Sequence, residues 1–243
     1  MPNNTIGVNR SGVTKVFNSP LPFLGAQALM SGSSVSQNCN ACNPTIGIQY
    51  NPGRGGSTAS SFYRLYLYFD VSSYTTTITN PVLSLYGFGS VSLTNLAVVK
   101  GQQNGSSLEA FGGGSRNIAK EDFSRYSSAS GDFYYNGPPS WTTSGWNDLS
   151  LNASASVAIS ESNSFIVCLI ESRYDMEKKT PGLGDTFTAA SYGSGSAALY
   201  PRLHFTSSAA GWDGGMILGV SASSISSIIG VDRTNISSIN GVT

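Results

Sequence analysis

Four aromatic residues lie close together in a polar, Gly- and Pro-rich stretch, where they could bind a sugar. Phe133, Tyr134 and Tyr135 are consecutive, and Trp141 follows Gly137-Pro138-Pro139. Aromatic faces stack on sugar rings, and neighbouring polar side chains can satisfy the sugar hydroxyls. The cluster therefore predicts a glycan-binding loop. A second interpretation is that these aromatics cover the end of the domain or pack against a neighbouring subunit.

Residues that could catalyse a reaction are few and scattered. His204 is the only histidine, and it falls in a predicted strand beside Pro201, which is unfavourable for a serine hydrolase. Four carboxylates could serve a glycosidase, but no pattern brings any two of them together. They are Glu121, Asp122, Glu171 and Asp175. We therefore expect no enzyme activity, no cofactor and no metal site.

The three cysteines do not form a disulfide framework. Cys168 lies in the apolar run Phe165–Ile170, so we expect a buried, inert thiol. Cys39 and Cys42 lie in a polar loop without the further ligands that zinc requires. Free thiols or a local disulfide remain open for this pair.

An 11-residue repeat marks the C-terminal part of the chain. Gly219-Val220 recurs as Gly230-Val231 and as Gly241-Val242, and the motif Ile-Ser-Ser-Ile occurs at 225–228 and 236–239. Capped helical turns ending at glycine are one interpretation, and short strands are another. In both, the apolar residues need a partner surface, because elements this short are unstable alone. The predicted docking residues are Ile217, Leu218, Val220, Ile225, Ile228, Ile229, Val231, Ile236, Ile239 and Val242.

The composition limits the partners of this 243-residue chain. Charged residues make up 11%, against roughly 25% in an average soluble domain, and the net charge is zero. Electrostatic binding to nucleic acid or to an anionic membrane is therefore not expected. No apolar run is long enough to span a bilayer, and the N-terminal residues do not resemble a secretory signal.

The elements that must position these residues are short strands separated by Gly, Ser, Asn and Pro clusters. In Phe62–Val71, Leu65, Leu67 and Phe69 alternate with Arg64, Tyr66 and Tyr68, as in a half-buried strand. Phe165–Ile170 is apolar at every position, which predicts a central strand covered on both faces. We expect an all-β sandwich over 14–207, an extended N-terminal arm over 1–13 and a docking tail over 208–243.

Several of these strands are similar to a known family. The segment Arg64–Ser72, the following Val82–Tyr86 and the closing Tyr200–Phe205 resemble DNRLRE-type domains. The resemblance covers roughly 45–205. It implies a jelly-roll β-sandwich akin to carbohydrate-binding modules, without catalysis. Separately, the Gly-Val and Ile-x-x-Ile repeats resemble tails on structural proteins of tailed bacteriophages.

Together these features predict a structural virion protein of a tailed phage, as a head or tail decoration or a fibre component. Its partners would be other virion proteins and copies of itself. It would be made in the host cytoplasm and reach the outside in the particle. The alternative function is that of an adhesin, which would recognise host-surface glycans through Phe133, Tyr134, Tyr135 and Trp141.

Overall fold

A computed structural model describes residues 3–19, 34–37, 45–52, 58–74, 76–88, 95–101, 126–127, 129–137, 141–177, 189–192, 197–208, 216–217, 220–221, 227–228 and 231–232. The described residues of the first half of the chain form seven strands. They are β1 Asn3–Gly7, β2 Arg10–Ser19, β3 Ser34–Gln37, β4 Thr45–Pro52, β5 Thr58–Asp70, β6 Ile78–Phe88 and β7 Leu96–Lys100.

The second half adds nine strands and a single α-helix among the described residues, α1 Ala153–Ser160. Single helical turns lie at Ser130–Asp132, Ser172–Met176 and Ala197–Leu199. The strands are β8 Phe133–Gly137, β9 Trp146–Ser150, β10 Ser164–Ile170, β11 Ala189–Tyr192, β12 Arg202–Ser207, β13 Met216–Ile217, β14 Val220–Ser221, β15 Ser227–Ile228 and β16 Val231–Asp232.

Twelve of the strands build two antiparallel sheets, and the predicted all-β sandwich is confirmed. In the first sheet the order is β1-β12-β6-β9. In the second, β5 pairs with β2 along one edge and with β4 and β10 along the other, and β10 continues to β7 and β8. Strand β3 extends the second sheet beyond β2. Strand β11 joins β4 to the end of β6, which links the sheets at one corner.

The core between the sheets is built from the alternating apolar residues of these strands. Leu65, Leu67 and Phe69 of β5 face Leu83 and Leu85 of β6, and all five are fully buried. Alternation places every second side chain on one face, so the sequence pattern alone selects this set. The apolar face predicted for β5 is therefore the inward face.

The opposite face of β5 and β10 is buried as well. A second apolar cluster lies there, formed by Tyr66, Ala97, Val99, Ile166, Cys168 and Ile170. The expectation that Phe165–Ile170 is covered on both faces is confirmed. The half-buried interpretation of β5 is wrong, because Arg64 and Tyr66 are each only 2% exposed on its outer face.

The N-terminal residues belong to the sandwich instead of forming a separate arm. Asn3–Gly7 pairs with β12, and residues 10–19 pair with β5. Backbone hydrogen bonds and the buried side chain of Val8 hold this segment in place. In consequence β12 is an internal strand of its sheet, between β1 and β6.

Strand β6 has an irregularity at an Asn-Pro pair. Asn80-Pro81 lies inside β6, where the register with β12 shifts between His204 and Thr206. Asn80 has a positive φ of 52°, and Pro81 has no N–H to donate. The irregularity absorbs both residues, so β6 continues through them instead of starting at Val82.

Replacing Leu67 by Ala tests the inter-sheet core. Leu67 is fully buried, so its truncation should lower the free energy of unfolding by about 2–5 kcal/mol. Denaturant unfolding of the full chain measures this loss. Val157→Ala, on a side chain that is 49% exposed, is the control and should change stability by less than about 0.5 kcal/mol. A loss below about 1 kcal/mol for Leu67→Ala would contradict the assigned core.

Candidate functional site

The predicted aromatic cluster is divided between two cores by a bulge in β8. Val98 pairs with Tyr135 and Val99 pairs with Phe133, so Tyr134 is an additional residue in the ladder. Phe133 packs against the outer cluster, whereas Tyr134 and Tyr135 pack against the inter-sheet core. Tyr134 is only 2% exposed. The three consecutive aromatics therefore do not share one face.

Trp141, the fourth predicted residue, packs against the inter-sheet core from a tight turn. Asn147 holds this turn: its side chain accepts a hydrogen bond from the Thr142 N–H and donates to the carbonyl oxygens of Thr142 and Gly145 at 2.9 and 3.1 Å. The indole Nε1 is buried without a hydrogen-bond partner among the described residues. Trp141 is thus held by packing rather than offered as an open platform.

A pocket of about 780 Å³ opens beside Tyr134. It lies between the end of β7, the turn before β8, helix α1 and the start of β10. Its size is within the range of small-molecule sites, roughly 300–1,000 Å³. The described lining residues are Lys100, Gly101, Gly131, Asp132, Tyr134, Ser154, Val157, Ala158, Glu161, Ser162, Asn163, Ser164, Phe165 and Ile166.

Asn152 fixes the walls of this pocket relative to each other. Its side-chain oxygen caps α1 by accepting from the Ala155 N–H at 3.2 Å. Its amide nitrogen donates to the Phe133 carbonyl at 2.6 Å, and its backbone N–H donates to the Tyr134 carbonyl at 2.9 Å. One short side chain therefore satisfies a free helix-terminal N–H and also ties the helix to β8.

Charged side chains line the pocket mouth. Lys100 Nζ lies 3.6 Å from Asp132 Oδ1, and the Ser127 hydroxyl donates to the other Asp132 oxygen. At this exposure the ion pair contributes at most about 1 kcal/mol to stability, so it orients the groups more than it stabilises the fold. Burial raises the pKa of Tyr134 to about 12, so its phenol stays neutral and can only donate or accept hydrogen bonds.

A second polar cluster is buried on the outer face of β5. Arg64 donates to both carboxylate oxygens of Asp175, from Nε at 2.9 Å and from Nη2 at 2.6 Å, and its guanidinium lies 5.1 Å from the Tyr126 ring centre. Burial alone would lower the pKa of Arg64, but the Asp175 carboxylate raises it above its ordinary value. The pair is therefore a bidentate ion pair inside the protein.

Glu171 holds the segment that carries Asp175. Its carboxylate accepts hydrogen bonds from the backbone N–H groups of Arg173, Tyr174 and Asp175, at the start of the turn Ser172–Met176. Two of the candidate glycosidase carboxylates, Glu171 and Asp175, are thus occupied in holding this turn against the sheet. Glu121 and Asp122 lie outside the described residues.

Other predicted polar residues have local partners. Asp70 accepts from the Ser72 N–H at 3.0 Å and from its hydroxyl at 2.6 Å, and these bonds lower its pKa. Asp70 therefore holds the turn that follows β5. His204 Nδ1 lies 2.8 Å from the Thr5 hydroxyl. No group of three His, Cys, Asp or Glu side chains that could hold a metal occurs in the described ranges.

The thiol of Cys168 is fully buried, and burial raises its pKa to about 12, which agrees with the predicted inert thiol. Cys39 and Cys42 lie outside the described residues.

The C-terminal repeat forms small hairpins where it is described. Ile217 pairs with Val220, and 11 residues later Ile228 pairs with Val231. Each hairpin is a two-stranded sheet of its own, separate from the sandwich sheets. The helical interpretation is wrong for Ser227–Ile228, because β-branched residues favour strands and glycine suits a two-residue hairpin connection. The remaining predicted docking residues lie outside the described part: Leu218, Ile225, Ile229, Ile236, Ile239 and Val242.

No protein-family model matches this chain, and comparison with curated proteins finds no match. In the described part of the chain no helix is long and apolar enough to cross a membrane.

The sequence pattern predicts neither the pocket nor the Arg64–Asp175 pair. The only signals were the dense charges after Ile170 and the Asn152-Ala-Ser capping pattern before a short helix. Neither pattern shows which distant segment of the chain its residues will contact.

Removing the charge at position 175 tests the buried pair. Asp175→Asn leaves the Arg64 guanidinium buried without a counter-charge, which should lower the free energy of unfolding by about 3–5 kcal/mol. The joint replacement Arg64→Met and Asp175→Leu removes both charges and should destabilise less than Asp175→Asn. Denaturant midpoints of the full-length variants measure both effects. A joint variant less stable than the single one would contradict this account.

Glu171 predicts a specific pH dependence of stability. Burial raises the pKa of Glu171 above its ordinary 4.5, although its three backbone hydrogen bonds oppose the shift. The folded state therefore holds the proton more tightly than the unfolded chain. This contribution to stability is complete below pH 4.5 and is lost as the pH rises through the raised pKa.

The side chain of the Glu171→Gln variant cannot titrate. The difference in unfolding free energy between the wild type and this variant should therefore shrink as the pH rises from 4.5 through the raised pKa of Glu171. Unfolding free energies measured at a series of pH values test this, with Glu161→Gln as an exposed control. A stability difference between the wild type and Glu171→Gln that stays constant or grows with pH would contradict the prediction.

Proposed function

We propose that the protein is a structural component of a tailed-phage particle, present in several copies and attached through its C-terminal repeats. The observation that carries the proposal is the coincidence of two periods. The 11-residue step in the sequence is also the step between the hairpins 217↔220 and 228↔231. A segment with a repeated structural unit of this kind suits repeated contacts in an assembly.

The small size of the hairpins supports a docking role. Each described strand of the repeat has two residues, and an isolated two-stranded hairpin is marginally stable at best in water. In the described part of the chain neither hairpin pairs with a further strand, so its outer edges could accept a strand from another chain. A partner that pairs with these edges or covers the Ile and Val side chains would stabilise the repeat.

The sandwich supports a role outside catalysis. Two of its candidate acids hold a structural turn, and its histidine lies beside a threonine hydroxyl. The low charge content and the Gly-, Ser- and Asn-rich loops suit a domain displayed on a particle, as a head or tail decoration or a fibre component.

The adhesin function through Phe133, Tyr134, Tyr135 and Trp141 receives less support. An open stacking platform needs exposed aromatic faces on one side of the domain. Tyr134 is buried, and the other three pack against one of two different cores.

The assembly proposal predicts the effect of charges placed in the hairpins. Val220→Asp and Val231→Asp, alone and together in the full chain, should reduce incorporation into particles. The double variant should fall by at least about tenfold, because a contact that buries an unpaired charge loses more than 1.4 kcal/mol. Quantitative mass spectrometry of purified particles measures the number of copies per particle.

Ser73→Asp, in an exposed turn, adds the same charge outside the repeat and serves as the control. Its incorporation should equal that of the wild type. Absence of the wild-type chain from purified particles, or normal incorporation of the double variant, would refute the proposal.

A further inference from the structure

We propose that the pocket between β7, β8, α1 and β10 binds a neutral saccharide. This site is separate from the C-terminal repeat and does not depend on the assembly role. It also differs from the aromatic loop predicted from the sequence, since only Tyr134 belongs to both. The proposal depends on the shape of the pocket, on its polar groups and on an apolar wall that the fold does not use.

One face of helix α1, with both polar and apolar side chains, lines the pocket. Ser154, Val157, Ala158 and Glu161 follow the spacing of one helix face, while Ala155 and Ile159 are buried against the protein on the other. Val157 is the one large apolar side chain exposed in the described ranges, at 49%. An apolar side chain on a pocket wall is suited to the C–H face of a sugar ring.

Polar groups suited to sugar hydroxyls follow the helix directly. Glu161, Ser162 and Asn163 are exposed, line the pocket, and make no side-chain hydrogen bond to any other described residue. A carboxylate accepts hydrogen bonds from hydroxyls, and an amide both donates and accepts. Asp132, already oriented by Ser127 and Lys100, adds a second carboxylate across the pocket.

The floor of the pocket is rigid before any ligand binds. The rings of Tyr134 and Phe165 pack with centroids 5.2 Å apart, and each side chain is 2% exposed. Asn152 fixes α1 against β8, as described above. A preformed site loses less conformational entropy on binding, so modest contacts can suffice.

The charges select a neutral ligand. Lys100 is paired with Asp132, and Glu161 adds another negative charge, so the described carboxylates outnumber the described cations. This balance opposes a phosphate or an acidic sugar. A hydroxyl-rich neutral ligand can use the carboxylates as acceptors and Lys100 as a donor.

Gly131 provides a direct way to block the pocket. A Cβ added at Gly131 would have no heavy atom within 4 Å, and the same is true of Gly7 on the distant strand β1. Gly131→Phe should therefore fill the pocket without a clash, and Gly7→Phe is its matched control. Circular dichroism and denaturant midpoints verify that both variants remain folded.

Isothermal titration calorimetry of the full-length protein tests the proposal. The probes are neutral trisaccharides of glucose, galactose and N-acetylglucosamine, together with inorganic phosphate and a sialylated trisaccharide. We expect at least one neutral trisaccharide to bind. Glu161→Gln and Asn163→Ala should each weaken that binding by about tenfold or more, the usual consequence of losing a hydrogen bond of this type. Gly131→Phe should abolish it, and Gly7→Phe should leave it unchanged.

The outcomes separate this site from the other proposals. Failure of every neutral probe to bind at millimolar concentration, or binding of the acidic probes only, overturns the inference. Binding that survives Gly131→Phe but is lost in Tyr135→Ala or Trp141→Ala also overturns it and places the sugar on the loop aromatics. The Val220→Asp/Val231→Asp variant should bind sugar like the wild type. Loss of incorporation into particles can therefore be distinguished from loss of sugar binding.

Discussion

Strands β5 and β10 must be buried on both faces at once, and the rest of the sandwich is arranged around that requirement. Their inner residues pack against the sheet that contains β6 and β12. Their outer residues need a second cover, part of which the turn Ser172–Met176 supplies. Because Arg64 lies on that outer face, the cover must also bring a carboxylate, and Asp175 does so. An uncompensated guanidinium there would be strongly destabilising.

The same strand that needs the cover also positions it. Strand β10 ends at Ile170, and Glu171 immediately caps the following turn with three hydrogen bonds. The chain therefore turns back over its own sheet within a few residues. This local arrangement uses charged residues that sequence inspection could equally assign to catalysis. The charged residues Lys100, Asp132 and Glu161 line the pocket beside the start of β10 instead.

The pocket and the repeat are two places where the described elements leave surface that a ligand or another chain could cover. At the pocket, α1 covers only part of the space beside β8 and β10, and a polar cavity remains between rigid walls. In the repeat, each described hairpin consists of two strands of two residues, which is marginally stable at best by itself. A rigid cavity suits a small ligand, while short hairpins with open edges suit another protein chain. The proposed saccharide site and the proposed attachment segment follow from this physical difference.

The sequence was sufficient to predict the sandwich class, the inward residues of β5 and the double burial of Phe165–Ile170. Each depends on the pattern of apolar positions along a strand, which the local sequence expresses directly. The helical interpretation of the repeat is wrong at Ser227–Ile228, because the pairing partner decides whether such residues lie in a strand. The resemblance to DNRLRE-type domains and to phage tails stays a prediction.

Only the tertiary structure decided which core or partner each candidate functional side chain contacts. The bulge at Tyr134 sends Phe133 to one core and Tyr134 and Tyr135 to the other. Arg64 meets Asp175 across 111 positions of sequence, and Glu161 meets Lys100 and Asp132 around one cavity. The physical reason is that alternation determines which face a residue occupies, whereas strand register and connections determine which distant residue it meets there.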